Sequence, residues 1–457
     1  MILLLSCYEL GHQPLALAWP LAFLKRAGLE ARVVDLALDP FPEALAREAR
    51  LVAIAVPMHT ALRLGVKAAR RVRECSDAHV TFHGLYAWLN ADYLLGEGVA
   101  DSVLAGEADG TLADLAKAVQ EGRPLESVGP VSTRTRRATP VRERLHFPTP
   151  ERSPLPALSR YARLVRDGRT SLAAYVEASR GCKHLCAHCP IVPVYRGRFF
   201  AVPVETVMAD IAQQARAGAR HVTFGDPDFL NGPAHALRVT RALHARFPEL
   251  SFDFTAKVEH LLKERELLPE LRALGCAFVV SAVESLSDEV LGRLRKDHRA
   301  ADVAEVVDVL DATGIALHPT LVAFTPWTTL DDYIATLEFF RVRGLAPHVP
   351  PVQLAIRLLV PPGSALLDDP ETAAALGPLD RENFVHRWSH PDPRMDSLYQ
   401  QVADLVDRAE AEREPGSRTW ERVRALAYAK AGRIPEAGPM PPVFRPDPPR
   451  LTEHWFC

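Results

Sequence analysis

The sequence lacks the marks of a secreted, membrane-spanning or nucleic-acid-binding chain. No apolar run approaches the roughly 20 residues that a membrane-spanning helix needs. The opening MILLLSCYEL loses its apolar character after Leu5, and no basic segment precedes it. It therefore reads as a buried strand and not as a signal peptide. No Lys/Arg run stands out and the formal net charge is -3, so charge gives no reason to expect nucleic acid. No Gly-x-Gly-x-x-Gly follows the first apolar run, which argues against a dinucleotide site. Cysteine is scarce and odd in number: seven in 457 residues, three of them crowded into one loop. That is not the pattern of a disulfide framework. A cytoplasmic protein with reduced thiols and one metal site is the expectation.

What is present is apolar material for two or three cores, at 48% hydrophobic residues. Residues 1–125 alternate short apolar runs (MILLLS, ARVVDL, LVAIAVP, HVTFHG, DSVLAGE) with helical patterns such as ALRLGVKAARRVREC. Apolar strands spaced by helices imply a parallel sheet covered on both faces, a doubly wound, Rossmann-like α/β domain. Such sheets bind ligands beyond the carboxyl ends of their strands. Residues 126–168 are rich in Pro, Arg, Ser and Thr and read as a linker. Residues 169–365 repeat the rhythm: AAYVEAS, HVTFGD, SFDFTAK, AFVVSAVE, ALHPTLVAF and VQLAIRLL are candidate strands. Six strand–helix units suit a partial barrel, with its chemistry at the carboxyl ends of the strands. Residues 366–457 combine an amphipathic helix (RMDSLYQQVADLVDRAEAERE) with a proline-rich, extended run.

The stretch SRGCKHLCAHCP places Cys182, Cys186 and Cys189 directly after the first barrel strand. Structural zinc and iron–sulfur sites normally take four protein ligands. Either His184 or His188 completes a zinc site, or the fourth position is left open for something else. Cys182-x3-Cys186-x2-Cys189 in front of a partial barrel resembles the radical S-adenosylmethionine (SAM) superfamily. The resemblance implies a 4Fe–4S cluster on the three thiolates, with the fourth iron chelated by SAM. One electron would then cleave SAM to methionine and a 5'-deoxyadenosyl radical. His188 stands where that family usually has an aromatic residue.

The resemblance also implies roles for single residues. Gly225 and Asp226, in FGDPDF, stand where the family contacts the SAM amino group, with Asp228 on the substrate side. Ser281 and Glu284, in SAVES, match positions that meet the SAM ribose or carboxylate. Lys257 and Arg357 point toward the same face as candidate catalytic groups. A structural ion pair is the alternative for each charged residue. A Rossmann-like domain before such a barrel resembles the cobalamin-binding subclass. The usual Asp-x-His-x-x-Gly is missing; the nearest string, DAHVTF, lacks the Gly. Cobalamin with an unligated lower face is the expectation. Gly84 and Gly106 resemble loops that cradle the corrin tail, or are ordinary turn glycines. A methylthiotransferase module would need a second cysteine triad, and this region holds only Cys7 and Cys75.

Several blocks, among them KVEHLL, FTPWTTLDDY and the final LTEHWFC, resemble the CUAEP/CCAEP-tail radical SAM proteins. That group is named for a Cys-Cys or Cys-selenocysteine pair followed by Ala-Glu-Pro. Either the chain ends naturally at Cys457, or the gene continues through an in-frame UGA and the protein is a truncated selenoprotein. Cys457 would then belong to a redox or metal-binding tail. The resemblance implies cobalamin-dependent methyl transfer to a small-molecule or peptide substrate, with an electron donor such as flavodoxin or ferredoxin. Radical rearrangement, metalloid alkylation or a non-catalytic cluster-bearing sensor or metal carrier are the alternatives.

Overall fold

The computed structural model describes residues 1–435 and 447–453. The first sheet is built from β1 (Ile2–Ser6), β2 (Ala31–Asp35), β3 (Leu51–Ala55), β4 (His79–His83) and β5 (Ser102–Val103), all parallel. Their spatial order is β2-β1-β3-β4-β5. The pleat explains why β1 is apolar throughout. Ile2 and Leu4 face one core with Leu17, Leu24 and Leu115, while Leu3 and Leu5 face another with Ile54, Val66 and Val72. Helices Leu15–Arg26 and Asp109–Glu121 cover the first face and helix His59–Cys75 the second. Pro20 lies inside helix Leu15–Arg26, which closes through Gly28 at φ 76°.

The second sheet has seven strands. The parallel set is β7 (Arg169–Val176), β10 (His221–Phe224), β11 (Ser251–Ala256), β12 (Cys276–Glu284) and β13 (Ala316–Leu321). Two antiparallel strands, β6 (Arg163–Arg166) and β16 (Arg450–Leu451), extend its edge. A separate short hairpin, β8 (Ser179–Gly181) with β9 (Phe199–Ala201), leaves the end of β7 and carries the cysteine loop. A third hairpin, β14 (Leu376–Asp380) with β15 (Val385–Trp388), precedes helices Pro393–Ala411 and Gly416–Lys430. The α/β class and the partial barrel stand.

Two elements differ from expectation. The sixth barrel strand, VQLAIRLL, is a 3-10 turn (Pro351–Ala355) followed by one isolated parallel bridge, Phe324 with Arg357. Prolines 350, 351, 361 and 362 bracket the segment, and proline cannot donate to a ladder. Residues 163–166, expected within the linker, form β6. Asp167-Gly168, both at positive φ, makes the two-residue turn to β7, a strong hairpin signal.

The linker is also stapled to the barrel. Arg152 donates to both carboxylate oxygens of Asp210 (3.0 and 2.7 Å), to Gln13 Oε1 (3.1 Å) and to the Tyr175 carbonyl (2.8 Å). At the far side Phe384, at the tip of the β14–β15 hairpin, packs edge-on against Tyr93 within the first domain's core. Among the described residues no helix is long and apolar enough to cross a membrane.

Candidate functional site

The carboxyl end of the first sheet meets the cysteine loop. Arg180, on β8, donates to Asp109 (2.6 Å), Glu107 (3.3 Å) and Glu177 (3.1 Å). Glu107 also accepts from the Tyr195 hydroxyl at 2.8 Å. Glu107 and Asp109 follow β5, so this buried group ties the ligand-binding edge of one sheet to the strand that launches Cys182. Gly181 makes the launch possible. Its φ is 73°, and a Cβ there would lie 2.4 Å from the Arg198 carbonyl and 2.6 Å from the Tyr195 ring.

The three cysteines occupy the next eight residues. Cys186 is buried; Cys182 and Cys189 are partly exposed. Burial pushes the Cys189 thiol up to about 12, the neighbouring cysteines add to this, and the Lys296 ammonium opposes it. Cys182 is raised by burial as well. Among the described residues, no set of three ligand atoms that includes these sulfurs closes within 4.8 Å. A tetrahedral zinc with Zn–S of about 2.3 Å would draw its sulfurs to about 3.8 Å. Neither histidine of the loop turns to the thiols. His184 faces Asp228 and His260, and His188 Nε2 lies 3.4 Å from Glu284. The donor set therefore fits an iron–sulfur cluster on three cysteines better than zinc. Asn231 fixes the loop's entry: its Oδ1 accepts from the Lys183 amide at 3.1 Å and faces the Cys182 thiol at 3.9 Å.

Three residues read from the sequence converge on this loop, and a fourth, Asp226, on the strand before it. Asp228 accepts from the amides of Leu230 (2.9 Å) and Lys257 (3.1 Å) and from His260 Nδ1 (3.0 Å), with His184 at 3.5 Å. Burial would raise its carboxyl, but His184 and His260 outweigh that and hold it below its usual value. Lys257 Nζ lies 3.1 Å from His184 Nδ1 and 3.3 Å from both Glu259 and Asp297. His184, Asp228 and His260 are close enough to share a cation. The protons argue otherwise. An ammonium on His184 Nδ1 makes that nitrogen an acceptor, so Nε2 carries the hydrogen and points to Asp228. The group is a hydrogen-bonded clamp on the cysteine loop. Glu284, at φ 64°, forms a buried pair with Lys296 (3.2 Å). Burial raises its carboxyl, yet Lys296 and His188 bring it down to about 2. Asp226 accepts from the Ala178 amide (2.9 Å) and the Ser179 hydroxyl, and burial pushes its carboxyl up to about 7.

The other candidates have different surroundings. A Cβ on Gly225 would lie 2.5 Å from the Tyr175 ring, so tyrosine packing requires the glycine. Gly84 and Gly106, at φ 105° and 74°, press on the backbone of Val56 and Val141, which excludes a Cβ at either. Ser281 Oγ is buried on β12 without a partner among the described residues. Arg357 stacks on Trp388 (3.6 Å to the ring centre) and pairs with Asp396 (2.9 Å), joining the barrel to the C-terminal helices. Cys457 lies outside the described residues. Sequence reasoning missed Arg180, Asn231, His260 and Lys296. Arg180 alone had a local signal, two residues before Cys182. It also missed His83, at the carboxyl end of β4, whose Nε2 is buried without a partner among the described residues and which burial pushes down to about 4.

Comparison with known proteins agrees with this geometry. Residues 176–340 match the family described as the Radical SAM superfamily. A tRNA-2-methylthio-N(6)-dimethylallyladenosine synthase of Chlorobium phaeobacteroides is 31% identical over 189 residues, 39% of this chain and 42% of that protein. The hopanoid C-3 methylase of Methylococcus capsulatus is 25% identical over 329 residues, 69% of this chain and 62% of that protein. The chain thus spans about two fifths of the length of the first of these relatives. Among solved structures, the cobalamin-dependent SAM radical enzyme OxsB with aqua-cobalamin bound superposes with a TM-score of 0.70 at 15% identity. That match covers 89% of this chain and 67% of that one, and it shows the shared fold. The chain carries a radical SAM domain over residues 176–340.

Proposed function

We propose that the protein is a radical SAM enzyme that methylates a small-molecule or peptide substrate with the help of cobalamin. The observation that carries this reading is the facing of two edges through Arg180. The carboxyl ends of β4 and β5, where an α/β sheet takes its ligand, lie against the strand that leads into Cys182. A hopanoid methylase among the relatives and a cobalamin enzyme among the fold neighbours support it.

The residues suit both groups. Cys182, Cys186 and Cys189 would hold the cluster, with no fourth protein ligand turned toward them among the described residues. His83 offers a neutral, unengaged imidazole nitrogen at the sheet's carboxyl edge, suited to a contact with a bound macrocycle. When bound, the cluster would supply the electron that cleaves SAM, and methylcobalamin the methyl group. Lys296 keeps Glu284 ionised beside the loop, and Asp228 locks the loop to β11. Asp226 is an acceptor close to neutrality, where the resemblance expects the SAM amino group.

Anaerobic purification from cells fed hydroxocobalamin tests the cobalamin half. Corrin absorption bands at about one per chain are the expected result. A protein that cleaves SAM yet never retains corrin would remove methyl transfer from cobalamin.

A further inference from the structure

The chain has three asparagines. Two of them engage their amide hydrogens within the fold. Asn90 Nδ2 donates to the Tyr86 carbonyl (3.0 Å) and Asn383 Nδ2 to Asp380 (2.8 Å). Asn231 differs. Its side chain is buried beside the cysteine loop, and its Nδ2 has no partner among the described residues. A buried donor of this kind is costly unless an acceptor arrives.

The amide is held in one orientation. The Lys183 N–H donates to Oδ1 at 3.1 Å, which fixes the oxygen on that side and leaves Nδ2 as the other arm of the fork. The backbone beneath is equally fixed. Asn231 ends the turn Phe229–Asn231, where Asp228 accepts from the Leu230 amide (2.9 Å) and its carbonyl from the Asn231 N–H (3.1 Å). Phe229 and Leu230 are core residues, and a Cβ on Gly232 would lie 3.0 Å from the Phe199 ring of the β8–β9 hairpin. Cys182 Sγ is 3.9 Å from Asn231 Oδ1. A thiol can offer its hydrogen to that oxygen. A thiolate that holds iron has none to offer and accepts instead. Within the loop, His188 Nδ1 is also buried without a partner among the described residues. Its Nε2 faces the Glu284 carboxylate at 3.4 Å, so in the imidazole form Nδ1 carries a lone pair and no hydrogen. The unused side-chain donor beside Cys182 is therefore the Asn231 amide.

We infer that Asn231 Nδ2 donates an N–H···S hydrogen bond to the iron–sulfur cluster at its Cys182 corner and so raises the cluster's reduction potential. This rests on the radical SAM reading and adds a tuning group to the same site. Hydrogen bonds to the sulfurs are among the levers that set such a potential. One electron from a reductant adds negative charge that the sulfurs share, and a donor to a more negative acceptor is stronger. The bond therefore favours the reduced form. No bond to iron is made or broken.

The test uses the full-length protein grown with asparagine carrying 15N in its side-chain amide. It is reconstituted anaerobically with iron and sulfide and reduced by dithionite, one electron entering each cluster. Pulsed EPR should show a 15N coupling to the reduced cluster. The label is specific, because the amides of Asn90 and Asn383 donate elsewhere. Asn231→Asp and the uncharged Asn231→Leu both lack the donor and should lose the coupling. Potentials are compared on the clusters that form in each. At a fixed potential the ratio of reduced to oxidised cluster should fall at least tenfold in both, a shift of about 59 mV for one electron. A fall in Asn231→Asp alone would assign the effect to added charge and overturn the inference. So would a reduced cluster in the labelled protein without 15N coupling. Protein that assembles no cluster at all would refute the radical SAM reading, and the inference with it.

Discussion

Asp226 shows how one buried side chain can set a pH dependence. Its carboxyl is pushed up to about 7 by burial, against an ordinary value near 3.8. The folded chain therefore holds a proton that the unfolded chain has lost. Stability falls as pH rises from about 4 to about 7 and is level above that. Asp226→Asn keeps an acceptor for the Ala178 amide and a donor for Ser179, and it does not titrate. The variant should gain on the wild type across that window, by a few kcal/mol at most. Urea midpoints at pH 5 and pH 8 check it; the same difference at both pH values would refute the assignment. At this scale the three cysteines were legible because their spacing along the chain is their signal. Lys296, Asn231 and His260 were not, because each reaches the loop from a different strand end. The glycines were legible as special positions but not in their cause. Gly225 answers to the Tyr175 ring and Gly106 to the Val141 backbone.

Among the elements, the β8–β9 hairpin carries the most functional weight. It launches Cys182 and holds Arg180 against Glu107 and Asp109. Within it, at Gly181, both a positive φ and a close approach forbid a side chain. Gly181→Ala should push Tyr195 and Arg198 aside and displace the loop. Iron incorporated on anaerobic reconstitution should fall by at least half. Gly168→Ala is the control: it has a similar φ of 70° but nothing within 4 Å, so it should incorporate iron as the wild type does. Equal loss in both variants would mean that general destabilisation explains the effect. The parallel strands were legible because apolar runs buried on both faces leave no polar alternation. The sixth barrel strand failed because flanking prolines outweigh an apolar run. Strand β6 was missed because its arginine-rich pattern hid the Asp-Gly turn that makes it.

Across the whole molecule, the joints between its parts include three among the described residues. Arg180 ties the facing carboxyl edges, Arg152 ties Gln13, the linker and Asp210, and Phe384 carries the C-terminal hairpin into the first core. Arg152 and Asp210 are both buried, and breaking such a pair leaves an uncompensated charge, typically at about 3–5 kcal/mol. Of these joints only Arg180 had a local signal, its place two residues before Cys182; the other two depend on which loops the fold brings together. Their common effect is to hold the ligand edge of the first sheet against the cysteine loop, and that juxtaposition is what the proposed chemistry needs. The most direct test is SAM cleavage by the full-length protein after anaerobic reconstitution with iron and sulfide. The account predicts about four irons per chain and formation of 5'-deoxyadenosine and methionine under dithionite, both lost in Cys182→Ala/Cys186→Ala/Cys189→Ala. Reconstituted protein that leaves SAM intact, or an equal iron content in the triple variant, would contradict it.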